Sequence, residues 1–150
     1  MTQYHHARDN AIASLGKIIK YQNALVQSTP SYSTSLVTYW LCLLPISHDT
    51  EEAAMQADLL SEMLDEMPAF ILGTDLTNTV QQLAKIYGEV FQEKYFSEMK
   101  GESKLKIANA VRYLGQGAPA PVPEAFKAAC ENALTDECKA NIQAAFLFQL

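Results

Sequence analysis

At 150 residues the chain is long enough to bury most of its unfolded surface and to fold as one domain without disulfide or metal staples. With 49% apolar and 19% charged residues its composition is globular. A formal net charge of −6 excludes a general nucleic-acid binder, which needs a basic stripe to displace counterions, and favours basic partners.

No charged-then-apolar leader opens the sequence, and the longest apolar stretch, Tyr39 to Ile46, is less than half of what spans a bilayer. A soluble intracellular protein with no membrane partner is expected. Cys42, Cys130 and Cys138 make no C-x-x-C pair. On one straight helix Cys130 and Cys138 would stand roughly 12 Å apart, beyond disulfide reach, so buried thiols in a reducing compartment are expected.

Ala, Leu, Gln, Glu, Lys and Met dominate, and the apolar spacing predicts six or seven helices. The first runs from about Tyr4 to Leu25 with Ile12, Leu15 and Ile19 on one face, and Ser28-Thr29-Pro30-Ser31 breaks it. The second, about Ser33 to Leu44, sets Leu36, Tyr39, Trp40, Leu43 and Leu44 at helical spacing and is apolar nearly all round, so it should pack on several sides. Pro45 ends it.

The third, about Thr50 to Met67, opens on a capping box in which Asp49 accepts from the Glu52 amide and Glu52 reaches back. Ala53, Ala57, Leu60 and Leu64 form its core stripe, and Pro68 with the Ile71-Leu72-Gly73 turn closes it. A fourth, roughly Asn78 to Met99, carries Val80, Leu83, Ala84, Tyr87 and Phe91 inward, and Gly101 follows. The fifth, Glu102 to Leu114, precedes the main internal loop, Gly115 to Pro121. Pro123 suits the first turn of a sixth helix with Phe126, Ala129 and Cys130 inward, and Thr135 or Asp136 starts a terminal one with Cys138, Ile142 and Phe146. No sustained period-two alternation appears, so no strand is expected.

Between Tyr21 and Ala84 there is no Lys or Arg, while eight carboxylates from Asp49 to Asp75 fall there. On the third helix Glu51, Asp58, Glu62 and Asp65 are spaced seven, four and three apart, so they share a stripe opposite the core stripe.

A helix pair recurs every ~40 to 50 residues, a period that belongs to helical solenoids. Asn10-Ala11 before Leu15-Gly16 is echoed by Asn109-Ala110 before Leu114-Gly115. Asp9 through Ile19 resembles the second (B) helix of a HEAT repeat near the C-terminus of importin-β-family nuclear transport receptors. Trp40-Leu41-Cys42-Leu43-Leu44-Pro45-Ile46 resembles their W-L-x-x-L-P stretch, Asp49-Thr50-Glu51-Glu52-Ala53 their acidic B-helix start, and Pro68 through Gly73 their P-x-x-x-L-G exit. The match covers about residues 7 to 92 and is nearest the karyopherin β-3 type.

The resemblance implies an all-α superhelix of about three HEAT hairpins, forming the C-terminal portion of a longer receptor. Residues 1–27 would be the B helix of an incomplete repeat, 33–67 and 78–114 repeats, and 123–150 a helical cap. The first helix, lacking its A partner, should expose apolar residues. The resemblance further implies a protein that shuttles between cytoplasm and nucleus. Its partners would be cargo proteins with basic signals, Phe-Gly repeats of nucleoporins, and the GTPase Ran mainly through repeats absent here. B helices line the concave face of such a superhelix, so Glu51, Asp58, Glu62 and Asp65 are the candidate contacts for basic cargo. A HEAT scaffold from another assembly, such as a phosphatase or translation platform, is the competing reading.

Catalysis is not expected. A repeated acid stripe on an exposed helix lacks the asymmetric environments that drive two carboxyl pKa values apart, and no nucleophile has a base nearby. His5, His6 and His48 have no partner at metal-ligand spacing, and Gly115-Gln116-Gly117 lacks the strand and Lys-Ser of a phosphate cradle, so neither a metal nor a cofactor is expected. The aromatic set Tyr39, Trp40, Tyr87, Phe91, Tyr95 and Phe96 reads as core, with shallow pockets between A helices as the alternative.

Overall fold

The computed structural model describes residues 2–150, with side chains described from Tyr4 onward. The protein is all-α, and there is no strand among the described residues. Among the described residues there are ten α-helices where six or seven were expected: α1 (Thr2–Tyr21), α2 (Asn23–Gln27), α3 (Pro30–Leu43), α4 (Thr50–Glu66), α5 (Pro68–Leu72), α6 (Leu76–Val90), α7 (Glu93–Phe96), α8 (Gly101–Arg112), α9 (Val122–Asn132) and α10 (Asp136–Leu147).

The difference comes from short pieces. The first helix divides at Gln22, whose φ of −114° and ψ of 28° leave the helical region, although the amide ladder continues on either side of it. Pro68 starts α5 instead of merely closing α4, because proline at a first turn loses no hydrogen bond there. The expected helix from Asn78 to Met99 stops at Val90, where Phe91 and Gln92 turn out of helical geometry and α7 follows. The Gly115–Pro121 loop is also shorter than expected: Tyr113–Gly117 extends α8 as a π-turn, and the Ala118 amide donates to the Tyr113 carbonyl at 2.7 Å.

The helices pack in two rows. In one, α4 lies between α1 and α8. In the other, α6 contacts α3 and, beyond it, α9 and α10. Contacts of α1 with α3, α4 with α6, and α8 with α10 join the rows, and the continuous apolar core lies between them. Trp40, Leu60, Met63, Leu83, Tyr87 and Ile107 are among its fully buried members.

A polar lock fixes three of these helices. The buried Trp40 indole Nε1 donates to Gln56 Oε1 at 3.1 Å, and Gln56 Nε2 donates to the Ala13 carbonyl at 3.4 Å. A Cβ placed on Gly16 would meet Gln56 Oε1 at 2.2 Å and the indole Nε1 at 2.8 Å, so glycine is what lets α1 approach α3 and α4 so closely. Trp40 and Gln56 are buried as satisfied partners, the condition under which buried polar groups are tolerated.

The α4 start differs from the expected capping box. Asp49 Oδ1 accepts from the Glu52 amide at 3.0 Å as anticipated, but the Asp49 amide donates to Asp9 Oδ2 at 3.1 Å. Asp9, on α1 and almost wholly buried, takes the place assigned to Glu52, whose carboxylate instead accepts from Gln56 Nε2. Elsewhere Gln82 Nε2 donates to the Leu41 carbonyl at 2.9 Å and the Leu44 carbonyl at 3.4 Å, adding a donor where Pro45 stops α3 and denies it an amide. Arg112 does the same for the end of α10, donating from Nε to the Phe146 carbonyl at 3.1 Å and from Nη2 to that of Phe148.

Gly16→Ala is expected to cost about 1–3 kcal/mol by overpacking, read as a lower denaturation midpoint at unchanged m-value. Tyr87 supplies a pH test. Its buried hydroxyl, 3.0 Å from Ser61 Oγ, is pushed above its ordinary 10.0 by burial, with the Ser61 bond opposing and the Asp58 charge adding. Above that value the unfolded tyrosine ionises while the folded one keeps its proton, so the folded state binds more protons and stability falls as pH rises. Between about pH 9 and 11 the decline should be steeper for the wild type than for Tyr87→Phe.

Candidate functional site

The α4 stripe is where the sequence places a binding surface, and the fold treats its four acids unequally. Glu51 and Asp65 are exposed, as is Glu66 beside them. Asp58 and Glu62 are not free. Lys20 of α1 pairs with Glu62 Oε2, and Lys106 of α8 reaches Glu62 Oε1 at 2.6 Å and Asp58 Oδ1 at 3.2 Å. Ser103 of α8 donates to Asp58 Oδ2 at 3.3 Å. Asp58 Oδ1 has no well-aligned hydrogen bond, so its contact with Lys106 is coulombic.

The expectation that Asp58 and Glu62 present free carboxylate to a partner is therefore corrected. A lysine from each flanking helix neutralises them because α4 packs between α1 and α8, and each lysine follows or precedes a buried isoleucine, Ile19 or Ile107, at the edge of the helix contact. Sequence spacing on α4 alone misses these lysines. The signal available for them was the position of Lys20 and Lys106 beside the core stripes of the two helices that a stack would set against α4.

What remains acidic is a groove of about 450 Å³ between α4 and α8, with Glu62, Asp65 and Glu66 on one wall and Lys106, Asn109 and Tyr113 on the other. Glu66 and Asp65 are the unneutralised charges of that wall. A cationic side chain entering it would meet two exposed carboxylates and the Tyr113 ring, whereas Lys106 repels it from the Asp58 end. The groove suits a basic side chain better than an anion.

Two further grooves flank α3 and α6. One of about 240 Å³ lies among Thr38, Leu41, Cys42, Gln81, Gln82 and Lys85, and one of about 320 Å³ runs past Pro30, Val37, Phe70, Ile71 and Thr79. Trp40, Tyr87, Phe91 and Tyr95 are buried as expected and Phe96 partly so, but Tyr39 is exposed. The reason is that α3 packs on α1, α2 and α6 only along its Ser33, Val37, Trp40 and Leu41 side, so it is not enclosed all round.

The cysteines are less buried than expected: Cys42 is exposed, and Cys130 and Cys138 are half-buried on separate helices, α9 and α10, because α9 ends before Cys138. Burial and the neighbouring Glu131 push the Cys130 thiol up to about 11, against the opposing pull of Lys139, so it is a poor nucleophile near neutrality. The His5 and His48 rings meet with centroids 3.7 Å apart and planes tilted by 53°, their Nδ1 atoms 3.2 Å apart. No three His, Cys, Asp or Glu side chains converge as metal ligands among the described residues, and no helix among them is long and apolar enough to cross a membrane.

No family model matches the chain, and no solved structure matches it. The geometry itself therefore carries the functional reading.

Glu62→Gln should leave Lys20 and Lys106 facing a neutral side chain and cost about 1–3 kcal/mol, less than for a fully buried pair because Glu62 retains partial exposure. Asp65→Asn, at an exposed carboxylate, should change stability by less than about 0.5 kcal/mol. Equal losses in paired denaturant titrations would contradict the division of the stripe into bound and free acids.

Proposed function

We propose that this protein is a helical interaction scaffold and not an enzyme, in which an α-α superhelix of HEAT type presents the α4–α8 groove to basic segments of partner proteins. The observation that carries the reading is the groove itself: Glu66 and Asp65 stand exposed on a wall built by a well-buried helix, so their positions are fixed while their charges are unspent. The two-row packing, with α1, α4 and α8 on one side and α3, α6, α9 and α10 on the other, is what stacked helical hairpins require, and it supports the superhelix.

On the resemblance of its motifs, the protein would serve as the C-terminal portion of an importin-β-family import receptor. It would shuttle between cytoplasm and nucleus, taking basic transport signals at Glu51, Asp65 and Glu66. Phe-Gly repeats would enter the grooves beside α3 and α6, and Ran would bind mainly elsewhere in the receptor. The internal pairing of Asp58 and Glu62 narrows the cargo surface and favours the second reading to that extent: a HEAT scaffold of another assembly, with no transport role.

Fluorescence anisotropy with a Lys-rich signal peptide, a Phe-Gly repeat peptide and Ran loaded with GTP separates the readings. Binding of the basic peptide should weaken with salt. It should also fall about tenfold when Glu51, Asp65 and Glu66 are changed together to their amides, in line with surface ion pairs of up to ~1 kcal/mol each. Salt-insensitive binding, or no loss in the triple variant, removes the acidic groove from the account. Binding of the basic peptide without the Phe-Gly peptide would favour the scaffold outside transport, whereas Ran binding would support the receptor reading.

A further inference from the structure

Lys106 is the one cation among the described residues that line the α4–α8 groove. It stands where a partner's basic side chain would go. Its Nζ donates to Glu62 Oε1 at 2.6 Å and lies 3.2 Å from Asp58 Oδ1, so it already occupies the Glu62 end of the acidic wall.

Its surroundings let this ammonium leave. The Lys106 side chain is 42% exposed, against 13% for Lys20, so it can swing into solvent without opening the core. Glu62 then still has a cation, because Lys20 holds its other oxygen, Oε2. Asp58 keeps the Ser103 hydroxyl at 3.3 Å on Oδ2, and what its Oδ1 loses is a coulombic contact, not an aligned hydrogen bond. On the α1 side of α4, Lys17 shares a smaller groove with the same two carboxylates and stays beside them.

We propose that Lys106 is a built-in competitor for the acidic groove: a basic side chain of the partner displaces it from Glu62 and Asp58, and the strength of its hold sets the affinity. The inference rests on the reading of this groove as a site for basic segments and adds how that site is regulated. Exchanging one cation for another leaves the charge around Glu62 and Asp58 unchanged, so the net gain on binding comes from the exposed Asp65 and Glu66, with which Lys106 does not pair. A lysine that merely repelled cations would act through its charge, and arginine in its place would do the same. A competitor acts through its contacts, and a residue that grips the carboxylates harder must weaken binding.

The test measures the anisotropy of a labelled Lys-rich peptide titrated with the full chain and with three variants. Lys106→Met keeps the apolar stem but removes the ammonium, and should bind the peptide about tenfold more tightly. Lys106→Arg keeps the charge but grips both carboxylates through a planar fork, and should bind at least about threefold more weakly. Lys104→Met removes the same charge from α8 at a position over the Phe96 ring and outside the groove, and should change binding by less than about twofold. Circular dichroism checks folding, and Lys106→Arg, which retains every charge, tests the proposal even if Lys106→Met unfolds. Lys106→Arg binding as the wild type does, or a folded Lys106→Met gaining no more than Lys104→Met, overturns the proposal. If the wild type binds, the Glu51, Asp65 and Glu66 amide variant does not, and both Lys106 variants match the wild type, the groove reading stands and the competitor alone falls. Binding by none of the proteins, Lys106→Met included, removes both.

Discussion

The α4 helix packs between α1 and α8 with carboxylates on its outer side, and the rest of the fold is arranged around making that position tolerable. Its inner side is apolar and buried, and its start is held by Asp49 and, through the Asp49 amide, by Asp9 of α1. Gln56 ties it to Trp40 of α3 and to the α1 backbone across the space left by Gly16. Ser61 ties it to Tyr87 of α6. α1, α3, α6 and α8 thus each meet α4 through at least one polar contact as well as through apolar surface. Apolar contact alone leaves the rotation of a helix about its axis loosely set, whereas satisfied hydrogen bonds fix it.

That rotation decides which carboxylates remain available. With the α4 core stripe turned inward, Asp58 and Glu62 fall at the edges facing α1 and α8, where Lys20 and Lys106 meet them. Glu51, two turns before Asp58, and Asp65, three residues past Glu62, stay in solvent. Partial exposure keeps the desolvation cost of the Lys20–Glu62–Lys106–Asp58 cluster well below that of a fully buried pair, so the cluster aligns three helices without the penalty a dry interior would impose. A stripe that looks uniform along one helix becomes a structural half and an exposed half.

Two exposed surfaces follow from the same arrangement. The acidic groove lies where α4 meets α8, and an apolar stripe lies exposed on the outer side of α1, its edge at Lys17 and Tyr21 sharing a groove with Asp58 and Glu62 of α4. Neither arises from a special loop or strained backbone, and each is a consequence of which side of an amphipathic helix the packing consumes. On the proposed reading, a scaffold built this way would recognise partners by charge and shape over a helix face.

Much was legible in the sequence because it is written in local terms. The limits of α4 follow from Asp49 and Pro68, the start of α10 from Thr135, whose hydroxyl accepts from the Cys138 amide, and the start of α8 from Gly101; the core residues follow from helical spacing. All of these depend on residues within a turn or two of each other. The end of α6 at Val90 was not legible, since neither Phe91 nor Gln92 breaks helices; the turn is compensated by setting the Phe91 ring edge-on to Phe96 and Phe148, the latter far along the chain. The π-turn at Tyr113 to Gly117, where Gly115 lies against Phe146, and the pairing of Glu62 with lysines 42 residues before it and 44 residues after it, are of the same kind. By itself the sequence determined the all-α class, most helix starts and the existence of an acidic stripe. Only the tertiary structure decided which acids stay free, because that depends on what distant helices bring alongside.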